Sequence, residues 1–313
     1  MEGAINHQKL IVLGQEYPIV ILNSYKSMFN NYFLVYIEIA KLAPCWRPRL
    51  DSMDFIYYIM AGGLVGLTIG LTGVGGGSLM TPLLILLGFP YNVAIGTDLL
   101  YAAITKSSAM LGHARKKTVE WHAVCWLAAG SIPASLMTLL LLQQTYQDAT
   151  EYHVILTRSL GVMLVLTSLV LLFNRPVPAV DPAQAAADEA RSHSTSKPIL
   201  FASGAFLGVF VTLSSVGAGA LCAAILMWIY PRLPALRILG TDISHAVPLT
   251  LVAGIGHLLL LGNVNLTLLA CLLMGSLPAI HFSTQLASKM PADLLKKCIA
   301  SMLLLMGLKF VLF

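Results

Sequence analysis

Four stretches of this chain carry no charged residue, and their lengths decide what it can fold into. Residues 55–97 (43 residues), 121–147 (27), 198–231 (34) and 243–288 (46) contain no Asp, Glu, Lys or Arg. A helix needs about 20 predominantly apolar residues to cross a bilayer, so each run holds at least one crossing. A transmembrane β-barrel would alternate apolar and polar residues in segments of about ten, and these runs do not alternate. The chain therefore reads as an all-α integral membrane protein, a polytopic bundle of about 8–10 membrane segments. Only 11% of its residues are charged, against roughly 25% in a soluble globular domain. A soluble enzyme, a nucleic-acid binder and a disordered scaffold are set aside on that ground. The net charge of +5 sits in short loops, where it orients helices in the bilayer.

The chain divides into an N-terminal extension (1–52), a first membrane half (53–174), a polar linker (175–197) and a second membrane half (198–313). The apolar runs of the extension are short or interrupted, and it lacks the pattern of a signal peptide. Met53 directly precedes the first long apolar run, and the native start is expected there. An amphipathic surface helix around residues 27–42 is the competing reading. The linker RPVPAVDPAQAAADEARSHSTSK is rich in Pro, Ala and charge, which marks a solvated connection.

The two halves are repeats. Gly62 and Gly66 match Gly204 and Gly208, and Gly73-Val74-Gly75-Gly76-Gly77 matches Ser215-Val216-Gly217-Ala218-Gly219. Gly96-Thr97-Asp98 matches Gly240-Thr241-Asp242, Gly112-His113 matches Gly256-His257, and Gly130-Ser131-Ile132-Pro133 matches Gly275-Ser276-Leu277-Pro278. Arg115, Lys116 and Lys117 follow His113, whereas the segment after His257 is uncharged; the next loop of half one carries Asp148 and Glu151, and its counterpart carries Lys289, Lys296 and Lys297. The positive bias swaps sides between the halves, the signature of an inverted repeat. One conflict stands. Arg232 and Arg237 read as cytoplasmic, like the linker, so residues 198–231 must leave and return on one side, as two thin spans or as a re-entrant hairpin.

Three groups of residues could carry chemistry. The first is the glycine-rich break, Gly73, Val74, Gly75, Gly76, Gly77 and Ser78, with its partner Ser214, Ser215, Gly217 and Gly219. Irregular backbone at membrane depth is tolerated only where it is buried in protein or lines a cavity. Half-helices meeting there would present N–H groups to a small anion; close helix packing through small residues is the other reading. The second is Thr97 and Asp98 with Thr241 and Asp242, candidates either for a site or for helix caps. Lys106 lies eight residues past Asp98, a rise of about 12 Å and a rotation of about 80° on one helix, so a direct pair would require both side chains to stretch. Thr250 holds its equivalent position. Lys106 is then an anion ligand, a partner for another carboxylate, or a group snorkelling to the interface. The third is histidine: His113, His257 and His245 are candidates for proton relay or gating. His113 and His257 belong near opposite membrane faces, and His245, three residues past Asp242, faces the same way as that aspartate. No metal or cofactor is expected, because no histidine pair has ligand spacing and the five cysteines form no CxxC pair.

The stretches GLTGVGGGSLMTPLLILLG and AIGTDLLYAAITK, with the degenerate repeats SSVGAGA and LGTDISHAVPLTLVAGIGH, resemble the TauE/SafE sulfite exporter family over residues 54–313. The resemblance implies a bacterial inner-membrane permease for small sulfur-containing anions, such as sulfite, thiosulfate or organosulfonates, usually working by export. Its expected partners are the lipid bilayer and a small anionic substrate, with the oligomeric state open and a homodimer one option. Electrostatics favours the same direction. One negative charge moved out of a negative interior gains about 2.3 kcal/mol per 100 mV, so an anion exporter needs no coupling ion. Uptake of a related anion is the alternative, and an intramembrane hydrolase using Ser214 or Ser215 is the rival from another class.

Overall fold

In the computed structural model, residues 9–12, 15–18, 52–72, 77–145, 149–173, 197–286 and 292–312 are described. Met1–Arg49 and Leu50–Phe313 are separate units. In the first, β1 (Lys9–Val12) and β2 (Gln15–Pro18) pair antiparallel, with Lys9 opposite Pro18 and Val12 opposite Gln15. This small hairpin is absent from the all-α expectation. The surface helix over 27–42, the competing reading of the extension, and nearly all of the linker lie outside the described residues.

The described part of the second unit is helical. Its first half holds α1 (Ser52–Thr72), α2 (Gly77–Leu86), α3 (Tyr91–Arg115), α4 (Trp121–Thr145) and α5 (Ala149–Phe173). Its second half holds α6 (Lys197–Ser214), α7 (Ala220–Ile229), α8 (Ala235–Leu259), α9 (Leu266–Leu286) and α10 (Ala292–Leu312). Five of these, α4, α5, α6, α8 and α9, are long and apolar enough to cross a membrane. α2 and α7 have ten residues each, about 15 Å of rise, half of what a bilayer core requires. The outward faces are apolar, with Leu136, Met137, Leu140 and Leu141 exposed on α4 and Leu251, Ile255 and Leu259 on α8, a surface suited to lipid.

Small residues set the helix pairs. α6 lies parallel to α4, with Gly204 against Leu127 and Gly208 against Ser131; α1 lies parallel to α9, with Gly62 against Leu272 and Gly66 against Ser276. A Cβ at any of these glycines would fall on the partner's backbone, so the helices touch backbone to backbone. α3 crosses α8 antiparallel, with Gly96 against His257, Leu100 against Gly254 and His113 against Gly240. α5 and α10 are also antiparallel, through Gly161 on Phe310 and Val165 on Gly307. Exchanging the two sets of five helices turns the α1–α9 pair into the α6–α4 pair and leaves the other two pairs unchanged.

This pairing resolves the conflict over residues 198–231. Because α6 runs parallel to α4, it starts beside the start of α4, where Lys197 Nζ lies 5.8 Å from the centroid of the Trp126 ring. After α7 the chain reaches Arg237, which bonds Glu120 at 2.6 Å just before α4. The segment leaves and returns at the same end of the bundle, as a helical hairpin whose return helix has ten residues. Likewise α1 starts beside the start of α9, and after α2 the chain reaches Asn92, which donates to Asn263 Oδ1 at 2.8 Å. That hairpin opens and closes at the other end.

Candidate functional site

The antiparallel register of α3 and α8 places their crossing near the middle of both helices, beside Lys106 on α3. Asp98 lies on one side of this crossing and Asp242 on the other, each about two turns away at 3.6 residues per turn. Thr250 holds the equivalent position on α8, so a single lysine serves the middle of this pair. Its electrostatic partners are Asp242 and Asp98.

All three charges are buried, with exposures of 0% for Asp98, 4% for Asp242 and 8% for Lys106. Lys106 Nζ donates to the carbonyl of Ala218, in the break between α6 and α7. It does not snorkel, and its donor group is turned onto freed backbone. Asp98 Oδ2 accepts from Thr81 Oγ1 at 2.5 Å and Thr81 N at 3.2 Å, so α3 is tied to the first turns of half-helix α2. The Ser215 hydroxyl interacts with the Asp98 carboxylate, while Ser215 Oγ and Asp98 Oδ1 lack hydrogen-bond geometry to any group. Asp242 interacts with Lys106 and with Cys222 of α7, and its Oδ1 is also without a hydrogen bond. The Ser215 hydroxyl and the Cys222 thiol thus stand beside the two carboxylates, so each aspartate has a polar neighbour from the second break or the half-helix that follows it.

The break owes its shape to backbone conformation. Gly217 has φ +108° and Ser215 φ +58°, the left-handed region that glycine enters freely and serine at a cost. Ser214 Oγ donates to Phe210 O at 2.6 Å and accepts from Val216 N at 3.2 Å, closing α6. Gly219 stands just ahead of α7. The matching residues Gly73, Val74, Gly75 and Gly76 lie outside the described residues; Gly77 and Ser78 begin α2.

Other candidates hold the frame. Thr97 Oγ1 accepts from Asn265 N at 3.1 Å, and its equivalent Thr241 Oγ1 accepts from Glu120 N at 2.9 Å. Each threonine fixes the loop that starts a helix of the opposite half. His113 Nδ1 bonds Thr118 Oγ1 at 2.8 Å, and His257 Nε2 donates to Thr212 O at 3.0 Å; they stand at opposite ends of the α3–α8 pair. His245 is the histidine brought towards Lys106. Its Nε2 bonds Ser131 Oγ at 2.9 Å, and its Nδ1 faces Cys222 Sγ at 3.7 Å.

Several residues near the charges were not singled out by the sequence: Thr81, Ser131, Ser276 and Tyr101. Ser131 bonds His245, and Ser276 interacts with Tyr101. Ser131 and Ser276 are equivalent in the repeat, as are His245 and Tyr101. The repeated Gly-Ser-x-Pro of α4 and α9 was the available signal.

A family profile described as Sulfite exporter TauE/SafE matches residues 58–310. The chain belongs to the TauE/SafE family. It is 33% identical over 254 residues to the probable membrane transporter protein YjnA of Bacillus subtilis, covering 81% of this chain and 98% of that protein. It is 36% identical over 90 residues to a probable membrane transporter protein of Xylella fastidiosa, covering 28% of this chain and 34% of that one. No solved structure matches it significantly. This TauE/SafE member is therefore a multi-pass membrane transporter, and the relatives bear transporter names rather than enzyme names.

Proposed function

We propose that this transporter exports small sulfur-containing anions, such as sulfite or organosulfonates, across the bacterial inner membrane by alternating access. One observation carries the reading: a buried lysine at the crossing of the two halves spends its ammonium group on a backbone carbonyl of a broken helix. A substrate oxyanion replaces that carbonyl at Lys106 Nζ and gains the positive end of α7 beyond Gly219. Asp98 and Asp242 hold the ammonium in place from the two halves. His245, linked to Ser131, is the group positioned to relay a proton, with His113 and His257 acting on the ends of α3 and α8. The exchange relation between the helix pairs, and the opposite ends at which the two hairpins open, support an inverted repeat that rocks around this site. Both threonine-held loops are engaged at once, as in a state closed to both sides. The sulfur class comes from the family, and the direction from the cost of moving an anion against the potential.

The test is sulfite flux in proteoliposomes under an imposed potential. Outward flux should quicken as the interior is made negative, and Lys106→Met and Gly217→Ala should abolish most of it. If no sulfur oxyanion moves, the substrate class is wrong; if both variants transport normally, the site is wrong; faster inward movement would replace export by uptake. The hydrolase reading gains no support from Ser214, whose hydroxyl is engaged with Phe210 and Val216.

A further inference from the structure

We infer that each anion crosses together with one proton, and that Asp242 is the carboxylate that carries it. The inference rests on the proposed anion transport and adds a coupling ion to it. It starts from the charge of the site. Lys106 brings one positive charge, and Asp98 and Asp242 bring two negative ones. All three are buried, and both carboxylates act electrostatically on the lysine. With both of them ionised, the site is net negative before any substrate arrives. Buried charges are screened little by solvent, and an uncompensated buried charge is expensive, so this set repels an oxyanion. A proton on one carboxylate leaves Lys106 balanced by the other. The site is then neutral, and that is the state that accepts an anion.

The two aspartates are equivalent in the repeat, but their neighbours differ. Asp98 Oδ2 accepts from Thr81 Oγ1 at 2.5 Å and from Thr81 N at 3.2 Å, and the Ser215 hydroxyl interacts with the same carboxylate. Hydrogen bonds donated to a carboxylate favour its ionised form. Asp242 has instead the thiol of Cys222, a weak donor. The repeat shows the origin of the difference. At the offset that relates Gly77 to Gly219, Thr81 corresponds to Ala223, so half two has no hydroxyl at that place on its half-helix. Asp98 is therefore the fixed ionised partner of Lys106, and Asp242 is the carboxylate free to change its proton.

The groups facing Asp242 also supply a route for that proton. They are Lys106 of α3, Cys222 of α7 and, on its own helix, His245; α4 adds the neutral Ser131. Cys222 Sγ lies 3.7 Å from His245 Nδ1, and His245 Nε2 bonds Ser131 Oγ at 2.9 Å. The thiol thus links the carboxylate to the imidazole. In half one, Tyr101 holds the place of His245 and interacts with Ser276; a phenol is a far poorer proton shuttle near neutral pH than an imidazole. The proton comes from water on the loading side, passes through His245 and Cys222 without net change in either, and rests on the Asp242 carboxylate. Proton and anion leave together on the other side, and the carboxylate returns ionised. A sulfite dianion with one proton still carries one negative charge, so the potential continues to favour export.

The experiment reads the charge carried per sulfite, from current and radiolabelled sulfite flux measured together in proteoliposomes at the same pH on both sides. Asp242→Asn should add one negative charge per sulfite relative to the wild type. The protonation of sulfite itself is the same in both proteins and cancels from the difference. Because Asp242→Asn could impair folding, a second measurement uses the intact carboxylates. Adding sulfite to the reconstituted wild type should produce the infrared C=O band of a protonated carboxyl group. Cys222→Ala, beside Asp242, should shift that band, and Thr81→Val, beside Asp98, should leave it in place. Equal charge per sulfite in wild type and Asp242→Asn, no sulfite-induced band, or a band that moves with Thr81→Val and not with Cys222→Ala would overturn this inference while leaving anion transport standing. Absence of sulfite flux in the wild type would overturn the transport reading and this inference with it.

Discussion

Replacing Gly208 with alanine tests the backbone seam that places the site. The added Cβ would fall on Ser131 O and come within 2.8 Å of Ser131 Cα and 2.9 Å of its carbonyl carbon. These are backbone atoms and cannot rotate away, so α4 and α6 must separate by roughly 0.7–1 Å to restore ordinary carbon contacts of about 3.5–4.0 Å. Overpacking of this kind costs about 1–3 kcal/mol. One turn further along, Thr212 Oγ1 donates to Ser135 Oγ at 2.7 Å between two fully buried residues, and that bond would stretch beyond use. Thr212 keeps Gly208 O as an acceptor, so the added loss falls on Ser135, about 1 kcal/mol. Against this, alanine gains about 1 kcal/mol of helix propensity over glycine. The net is a loss of about 1–3 kcal/mol. Ser131 also bonds His245, so transport should fall with stability. The assay is the fraction of detergent-solubilised protein remaining monodisperse after a series of heating steps. Gly112→Ala is the control, because nothing lies within 4 Å of its added carbon and only the propensity gain remains. A Gly208→Ala protein as heat-resistant as the wild type, or a Gly112→Ala protein equally damaged, would refute the reasoning.

By the exchange of halves, Gly66→Ala should cost about as much as Gly208→Ala, since its Cβ would come within 2.7 Å of Ser276 Cα; a harmless Gly66→Ala in the same heating series would break the equivalence of the two seams. Lys106→Met should destabilise the protein by about 1–3 kcal/mol, since it strips the buried Ala218 carbonyl of its charged donor and two nearby buried carboxylates of a cation. Adding Asp98→Asn should recover part of that loss, and no recovery in thermal denaturation would mean that Asp98 is not held by Lys106. Lys116→Cys and Thr267→Cys, in a background freed of native cysteines, should react with an impermeant maleimide from opposite faces of sealed vesicles. Labelling from one face would contradict the opposed openings of the two hairpins.

By itself the sequence determined the membrane class, the internal repeat and the family, because each depends on local pattern: uncharged runs long enough to cross a bilayer, glycines and charges recurring at a nearly constant offset, and the motif at the first break. It also picked out Asp98, Lys106 and Asp242, since ionisable residues within apolar runs stand out by their cost. Which of these meet was decided only by the tertiary structure. Along α3, Lys106 and Asp98 are too far apart for an easy pair. The antiparallel crossing of α3 and α8 brings Lys106 between the two aspartates and onto Ala218 O, contacts that no single-helix geometry contains. The same holds for Arg237. Its charge marked a return of residues 198–231 to their starting side, and the bond to Glu120 supplied the partner for that return, joining parts of the two halves that are 117 residues apart. The polar neighbours Thr81 and Ser131 went unread for a related reason: a single hydroxyl in an apolar helix looks like packing until a partner from another helix is placed against it.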